Sequence, residues 1–302
     1  KHPTITPQHI ITLTTILVSI LTTLTTILNL TTQHTPQHTP QHTINQGDQI
    51  YLKNKNNQTT TCTIGYINHT TRTAYTAGHC ADEPTTGQYD PTTGTTLIIH
   101  KGYTGSTVHD PKTHTQLGTI TTNNRNQNPP WNIGDWAEIT INPNIKLGHN
   151  NHSGNHHANT NNIHPGDKIC SYSSVHQQKH CGIVIRNQHA YIIATPQSAG
   201  THGDSGGPAW IENPDGTSQG FYGVLSGHQG LVLFHKPHYT GPTPTHTHGV
   251  TQQEITTATN NHNTKYRTHN SPATLQYTRI QNKKEKHNME LKEFNYETEI
   301  TE

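Results

Sequence analysis

Short runs of β-forming residues alternate with turn-forming residues between residues 48 and 261. The runs are rich in Ile, Val, Thr and Tyr, and Gly, Pro or Asn separates most of them. The pattern predicts strands at residues 49–52, 63–67, 74–76, 96–100, 136–141, 182–185, 190–194, 220–225 and 231–234. Many short strands between turns are typical of a β-sandwich or β-barrel. Residues 252–258 predict a short closing helix.

The N-terminal segment has a different pattern. No charged residue follows Lys1 until Asp48, and residues 10–30 read IITLTTILVSILTTLTTILNL, about the length that crosses a bilayer core. A basic start before an apolar run is typical of a secretory signal or an N-terminal anchor. We therefore predict that residues 1–30 are a signal peptide or membrane anchor. The protein is then secreted, or anchored on the extracellular side of the membrane through this segment.

Three further segments are polar. Residues 31–47 repeat the letters TPQH and predict an extended linker. The region 48–261 follows as one domain, in which the His- and Asn-rich residues 150–162 predict a surface insertion. Residues 262–302 are polar and then charged, which predicts a mostly disordered tail.

Composition narrows the classes of partner. The chain is 27% hydrophobic and 12% charged, with a formal net charge of +1. Disorder normally combines low hydrophobicity with high net charge, whereas the polarity here comes from Thr, Asn, Gln and His. The sequence has no basic stripe, so no nucleic-acid partner is expected. Nothing marks an oligomer, so we expect a monomer. The four cysteines, an even number, indicate two disulfides and an oxidising compartment.

The strongest local signal is GDSGGP, residues 203–208. A Ser between flexible residues can lie on a tight turn with its hydroxyl exposed, and glycine allows a substrate backbone to approach closely. The same turn lets the amides of Gly203 and Ser205 point at one spot, as an oxyanion requires. The alternative is a Gly-rich hairpin turn with an incidental Ser.

A Ser hydroxyl needs a base within hydrogen-bond reach, and the base needs a carboxylate to orient it. His79, in the sequence TAGHC after a predicted strand, is the candidate base. Asp135 opens the alternating run DWAEITI and is the preferred carboxylate, with Asp110 as the second choice. Asp82 and Asp90 lie in polar turn-like sequence, where a solvated Asp is expected. Activity should rise through a pKa near that of an ordinary His.

With these three motifs in the order His, Asp, Ser, residues 44–261 resemble the trypsin-like serine proteases, in particular the secreted bacterial branch that includes the streptogrisins. The resemblance implies an all-β fold of two six-stranded antiparallel barrels, with the active site in the cleft between them. It also implies peptide-bond hydrolysis on protein or peptide substrates without a cofactor or metal. Ser205 would attack the scissile carbonyl, His79 would act as base and then acid, and Asp135 would orient His79.

The resemblance implies further roles. The amides of Gly203 and Ser205 would form the oxyanion hole, and the carboxylate of Asp204 would be held by a buried partner. Ser226 and Gly227 would pair with the substrate backbone as an added strand. The disulfides would be Cys62–Cys80 and Cys170–Cys181.

The specificity pocket departs from the family pattern. Thr201 stands where a Cys is expected, and His228 replaces a Gly. Ala199 aligns with the pocket floor, so a preference for Arg or Lys lacks its ion-pair basis. We expect a preference for uncharged side chains.

Two other functions compete with the exported endopeptidase. One is a non-catalytic binding or adhesion module on a protease scaffold. The other is a His-rich metal-binding surface protein, since zinc favours imidazole nitrogen. Its candidate ligands are His149, His152, His156, His157 and His164 in one loop, with His246 and His248 downstream.

Overall fold

The computed structural model describes residues 18–21, 23, 42–54, 56–83, 88–90, 95–97, 101–126, 134–228, 231–240 and 250–266. The chain divides into two compact units, residues 1–41 and 42–302. In the first unit, residues 18–21 and 23 are helical. The rest of the predicted signal or anchor, the linker residues 31–41 and the tail from residue 267 lie outside the described residues. Within the described ranges, no helix has the length and apolar character needed to cross a membrane.

The N-terminal half of the second unit is built from short strands. In chain order they are β1 (Thr43–Ile44), β2 (Gln49–Lys53), β3 (Thr59–Thr63), β4 (Tyr66–Asn68), β5 (Thr73–Thr76), β6 (Asp82–Glu83), β7 (Gln88–Asp90), β8 (Thr95–Leu97), β9 (Lys101–Gly102), β10 (Thr107–His109), β11 (Gln116–Asn123), β12 (Ala137–Ile141) and β13 (Lys146–Leu147). Seven of them form one sheet in the order β3-β2-β10-β11-β12-β5-β4. The pairs β1–β13, β6–β9 and β7–β8 are separate two-stranded sheets.

The C-terminal half contains β14 (Lys168–Ser173), β15 (Gln178–Asn187), β16 (Tyr191–Ala194), β17 (Pro208–Glu212), β18 (Ser218–His228) and β19 (Val232–His235). These six strands close into a barrel in the order β14-β15-β16-β19-β18-β17. Its interior is filled by buried apolar side chains such as Ile169, Val184, Ile192 and Phe234. The prediction of an all-β, two-barrel fold is therefore confirmed.

The N-terminal sheet differs from the predicted six-stranded barrel in one respect. The sheet begins at β3 and ends at β4, which are consecutive in the chain, so the predicted strand 63–67 is broken at Ile64 and Gly65. The break lies where the chain contacts the second barrel: a Cβ on Gly65 would be 2.5 Å from the carbonyl oxygen of Gly206 and 2.6 Å from Val224 Cγ1. Close packing at this point replaces regular strand pairing.

Strands β10, β11, β14 and β17 carry no clear signal in the sequence. The segment QLGTITTN of β11 and the segment KICSYS of β14 bury Gly, Asn and Ser beside a few aliphatic residues. Ser171, for example, is buried in β14, and its hydroxyl donates to the carbonyl of Ser198. A buried Ser with a hydrogen-bond partner is compatible with a core, but it interrupts the apolar pattern from which strands are read.

Residues 150–162 lie at the surface only in part: Asn151, Asn155 and His156 are exposed, whereas other residues of the segment are packed. Asn150 and Ser153 are buried, and the Ser153 hydroxyl accepts a hydrogen bond from the Gln46 side chain at 2.7 Å. The amide of Ala158 donates to Phe221 of the second barrel at 2.8 Å. The segment is the packed connection between the two halves, because its polar side chains find partners that lie far away in the sequence.

The closing helix α1 runs from Gln252 to Tyr266, longer than the predicted residues 252–258. Glu254 in its first turn pairs with Arg186 of β15 at 2.7 Å. At its other end, Lys265 pairs with Asp167 at 2.5 Å, and the Tyr266 hydroxyl donates to the carbonyl of Glu212. These contacts with the second barrel hold a helix whose own sequence is largely polar.

Candidate active site

Pairing of β5 with β12 brings His79 and Asp135 together. The two strands are antiparallel neighbours with Thr76 opposite Ala137. His79 follows Thr76 in the 3₁₀ turn Gly78–Ala81, and Asp135 comes just before Ala137. Both side chains therefore leave the same end of the sheet.

The imidazole of His79 is hydrogen-bonded to the carboxylate of Asp135. Nδ1 of His79 lies 2.7 Å from Oδ2 of Asp135, and the backbone amide of His79 donates to Oδ1 at 2.7 Å. The Ser226 hydroxyl also donates to Oδ2. The carboxylate is only 8% exposed, whereas the imidazole is 26% exposed. A hydrogen bond from Nδ1 to a buried carboxylate thus fixes the orientation of the imidazole, while the ring stays accessible.

The two groups shift each other's proton affinity. Burial alone would lower the pKa of His79, but the charge and hydrogen bond of Asp135 raise this pKa above the ordinary 6.5. Burial alone would raise the pKa of Asp135, yet His79 and Arg125 hold this pKa well below 3.8. At neutral pH Asp135 is therefore an anion, and the proton of the pair lies on Nδ1. The expectation of an ordinary pKa for His79 is corrected upward.

Ser205 lies on the turn before β17, against the strands that lead to His79. Its carbonyl oxygen accepts from the Thr63 amide at 2.8 Å and lies 3.9 Å from the sulfur of Cys80, the neighbour of His79. Ser205 is partly exposed. Within the described part of the chain, its hydroxyl makes no hydrogen bond. The structure therefore brings two of the three predicted residues, His79 and Asp135, into contact, but not the Ser205 hydroxyl.

The turn at residues 203–207 carries the two amides predicted to bind the oxyanion, and we call it the oxyanion turn. Gly203 has φ of +97°, a conformation that favours glycine, and its carbonyl accepts from Thr63 Oγ1 at 2.7 Å. Within the described ranges, the amides of Gly203 and Ser205 donate to no protein acceptor, although neighbouring Asp204, Gly206 and Gly207 all donate. Two such donors on a partly exposed turn can bind a developing oxyanion.

The side chain of Asp204 stabilises this turn through hydrogen bonds. It is fully buried, and its carboxylate accepts from the Thr201 amide at 2.8 Å, the Val175 amide at 3.1 Å and the Ser174 hydroxyl at 3.3 Å. The predicted buried partner of this carboxylate is therefore a set of neutral donors. These bonds tie the oxyanion turn to the hairpin between β14 and β15.

The predicted substrate-binding residues lie on two segments of the second barrel. Ala199 ends the 3₁₀ turn Pro196–Ser198 and packs partly against the barrel core. Ser226, Gly227 and His228 form the end of β18. Among the described residues, no atom lies within 4 Å of the position that a Cβ on Gly227 would take. The side chain of His228 lies outside the described residues.

Both expected disulfides are present. Cys62–Cys80 ties β3 to the turn that carries His79. Cys170–Cys181 joins directly opposed residues of β14 and β15. The other candidate carboxylate, Asp110, lies on the β10–β11 turn, where it caps the amides of Lys112 and Thr113 and pairs with His42. It is not the partner of His79.

The histidines of residues 149–164 have separate surroundings. His152 stacks on Tyr172 at 3.9 Å, and His157 packs against Tyr66 at 4.8 Å. Among the described residues, the only clusters with metal-ligand spacing each contain a disulfide, Cys62–Cys80 with His79 and Cys170–Cys181 with Glu212. His246 and His248 lie outside the described residues.

Sequence reasoning missed two charged residues beside the site. Asp82, expected to be solvated, is 17% exposed and accepts from Nη1 of Arg125 at 2.8 Å. Nε of Arg125 lies 3.8 Å from Oδ1 of Asp135. Arg125 stands in the polar sequence NNRNQN, which offers no signal of burial. The bond from Ser226 to Asp135 was likewise not foreseen.

No family model and no curated protein matches the sequence. Among solved structures, the chain is similar to a thermostable serine protease from an extremophilic microorganism, with 14% identity, a TM-score of 0.37 and coverage of 62% of this chain and 89% of that one. It is similar to the protease Anisep from Arthrobacter nicotinovorans, with 16% identity, a TM-score of 0.37 and coverage of 63% and 90%. It is also similar to an inactivated protease paralogue of the scabies mite, with 13% identity, a TM-score of 0.35 and coverage of 62% and 88%. Likeness at this level says nothing about activity. The chain's own strands, a seven-stranded sheet followed by a closed six-stranded barrel, match the chymotrypsin-like two-barrel fold.

Proposed function

We propose that the protein is a serine endopeptidase that hydrolyses peptide bonds through an acyl-enzyme formed on Ser205. The hydrogen bond of 2.7 Å between His79 Nδ1 and Asp135 Oδ2 is the observation that carries the proposal. A buried acid that fixes the tautomer of an accessible imidazole is what a general base for a serine nucleophile needs.

In the proposed mechanism, Nε2 of His79 takes the proton of the Ser205 hydroxyl as the oxygen attacks the scissile carbonyl. The amides of Gly203 and Ser205 donate to the oxyanion that develops. His79 then gives its proton to the leaving amine, and water attacks the acyl-enzyme with His79 again as base. The unattached Ser205 hydroxyl fits a free enzyme, because catalytic hydrogen bonds often tighten only when substrate binds.

The protein is proposed to act outside the cell on proteins or peptides, as a monomer. Two disulfides support an oxidising compartment. At the specificity pocket, Ala199 and Gly227 supply no charge, which supports a preference for uncharged residues before the scissile bond. Cleavage of a peptide library only after Arg or Lys would overturn this preference.

Labelling with a fluorophosphonate, which reacts with activated serines, tests the proposal. We expect a single adduct at Ser205 by peptide mapping and none in a Ser205→Ala variant with the same thermal unfolding curve. A Ser174→Ala variant is the matched control, because this neighbouring hydroxyl contacts the oxyanion turn but has no proposed role as a nucleophile. Absence of any adduct on folded, disulfide-bonded protein would favour the non-catalytic binding module instead.

A further inference from the structure

Arg125 links the proposed catalytic acid to a second carboxylate. It lies in the 3₁₀ turn Asn124–Asn126 that follows β11, and its side chain is 16% exposed. Nη1 donates to Oδ2 of Asp82 at 2.8 Å, and Nε lies 3.8 Å from Oδ1 of Asp135. One guanidinium thus lies between two mostly buried carboxylates, of which that of Asp135 is hydrogen-bonded to the imidazole of His79.

The turn that carries Arg125 is fastened to the turn that carries His79. The Asn123 side chain accepts from the Arg125 amide at 3.1 Å and donates to the carbonyl of Gly78 at 2.9 Å. A Cβ on Gly78 would lie 2.9 Å from Cγ of Arg125 and 3.0 Å from Oδ1 of Asp135. Glycine at this position therefore lets the arginine stem pack over the backbone beside His79. This packing places the guanidinium of Arg125 beside the turn that carries His79.

We propose that Arg125 and Asp82 are positioning residues whose opposed charges set how strongly Asp135 holds the imidazolium form of His79. This inference rests on the proposed function, since it concerns the same base. The positive charge of Arg125 partly neutralises the attraction between Asp135 and the imidazolium of His79, and the negative charge of Asp82 partly cancels this effect of Arg125. When the imidazolium form of His79 is stabilised less, it loses its proton more easily, and the neutral base is therefore present at lower pH.

The electrostatic surroundings agree with these directions. The charged groups that act on His79 are Asp135 and Asp82, which raise its pKa, and Arg125, which lowers it. On Asp135, His79, Arg125 and His235 act to lower the pKa. Burial raises the pKa of Asp82 to about 7, with Asp135 adding to the rise and Arg125 opposing it.

The test compares Arg125→Met, Asp82→Asn and Arg125→Lys. In each, the pKa of His79 is read from the imidazole resonances in a Ser205→Ala background, with a His79→Gln variant to assign the signal. The pH dependence of peptide hydrolysis is measured separately with Ser205 intact. The resonance titration needs no activity, so it tests the inference even where the proposed function fails. Arg72→Met is the control, since Arg72 is a clamped arginine that donates to the carbonyls of Asn142 and Ile145 and does not contact the site.

We expect the pKa of His79 to rise in Arg125→Met and to fall in Asp82→Asn, each by about 0.5 or more, and to stay near the wild-type value in Arg125→Lys and Arg72→Met. A displacement of that size changes the hydrolysis rate on the acid limb about threefold. If the two residues had only a structural role, Arg125→Met and Asp82→Asn would shift the pKa of His79 in the same direction, or neither would shift it more than the control does. Either result overturns the inference. If Arg125→Met does not fold, the fall expected in Asp82→Asn decides alone.

Discussion

Gly206 and Thr76 meet across the two barrels with no room for another carbon atom. A Cβ on Gly206 would lie 2.1 Å from Thr76 Oγ1 and 2.6 Å from the amide nitrogen of Ala77. Gly206 follows Ser205, and Thr76 ends the strand that leads to His79. This contact therefore sets how closely the proposed nucleophile and base approach each other.

We predict that Gly206→Ala destabilises the protein far more than Gly216→Ala. Both glycines have a positive φ, +83° and +86°, so both substitutions carry the same backbone strain of about 1–2 kcal/mol. In the described part of the chain, nothing lies within 4 Å of a Cβ on Gly216, whereas Gly206→Ala also forces the barrels apart, at about 1–3 kcal/mol more. Free energies of unfolding from denaturant titration measure the difference. Equal losses of unfolding free energy for the two variants would show that the contact between Gly206 and Thr76 adjusts to the extra methyl group without cost.

Asp135→Asn should leave the fold intact and lower turnover by about 10⁴, since the amide no longer fixes the tautomer of His79. Steady-state hydrolysis of a peptide ester, with circular dichroism as the folding check, measures this loss. Asp110→Asn is the control and should retain activity, because Asp110 caps the β10–β11 turn and pairs with His42 rather than with His79. A loss below tenfold for Asp135→Asn would mean that another group orients the base.

The acid limb of the activity profile should have its midpoint above pH 6.5. The neutral imidazole is the active form, and Asp135 stabilises the imidazolium, so a higher pH is needed to release the proton. The rate of hydrolysis of an uncharged substrate against pH gives the midpoint. In Asp135→Asn the midpoint should move to lower pH. A wild-type midpoint at or below 6.5 would contradict the electrostatic account of the site.

The two disulfides should differ in their effect on activity. Replacing either pair by alanines should cost about 3 kcal/mol, since the sequence separations of 18 and 11 residues give similar loop entropies. Loss of Cys62–Cys80 should also lower activity at temperatures where the variant is folded, because this bond holds the turn of His79. Loss of Cys170–Cys181 should leave activity intact, because the β14–β15 ladder keeps its register. Denaturant titration gives the folded fraction of each variant, and turnover divided by that fraction separates a loss of activity from a loss of stability.

Much of the fold could be predicted from the sequence, and the reason is local. Strands such as β5 and β16 consist of buried residues in unbroken runs, so their pattern is visible without knowledge of their neighbours. Strands β11 and β14 bury polar residues such as Asn123 and Ser171, whose hydrogen-bond partners lie in turns outside the strand, so their burial cannot be read from one strand. The burial of Asn150 could not be predicted for the same reason, since its side chain forms hydrogen bonds with the backbone of Ile67.

By itself, the sequence determined the three motifs around His79, Asp135 and Ser205, their order, and the glycines that a tight turn requires, because turn chemistry and strand pattern depend on adjacent residues. Only the tertiary structure decided that Asp135 rather than Asp110 lies against His79, that Ser226 donates to the same carboxylate, and that Arg125 lies between Asp135 and Asp82. Hydrogen bonds and charges act through space, and the folded sheet brings Arg125 next to Asp82, 43 residues earlier in the chain. No pattern in the polar sequence around either residue records that distance.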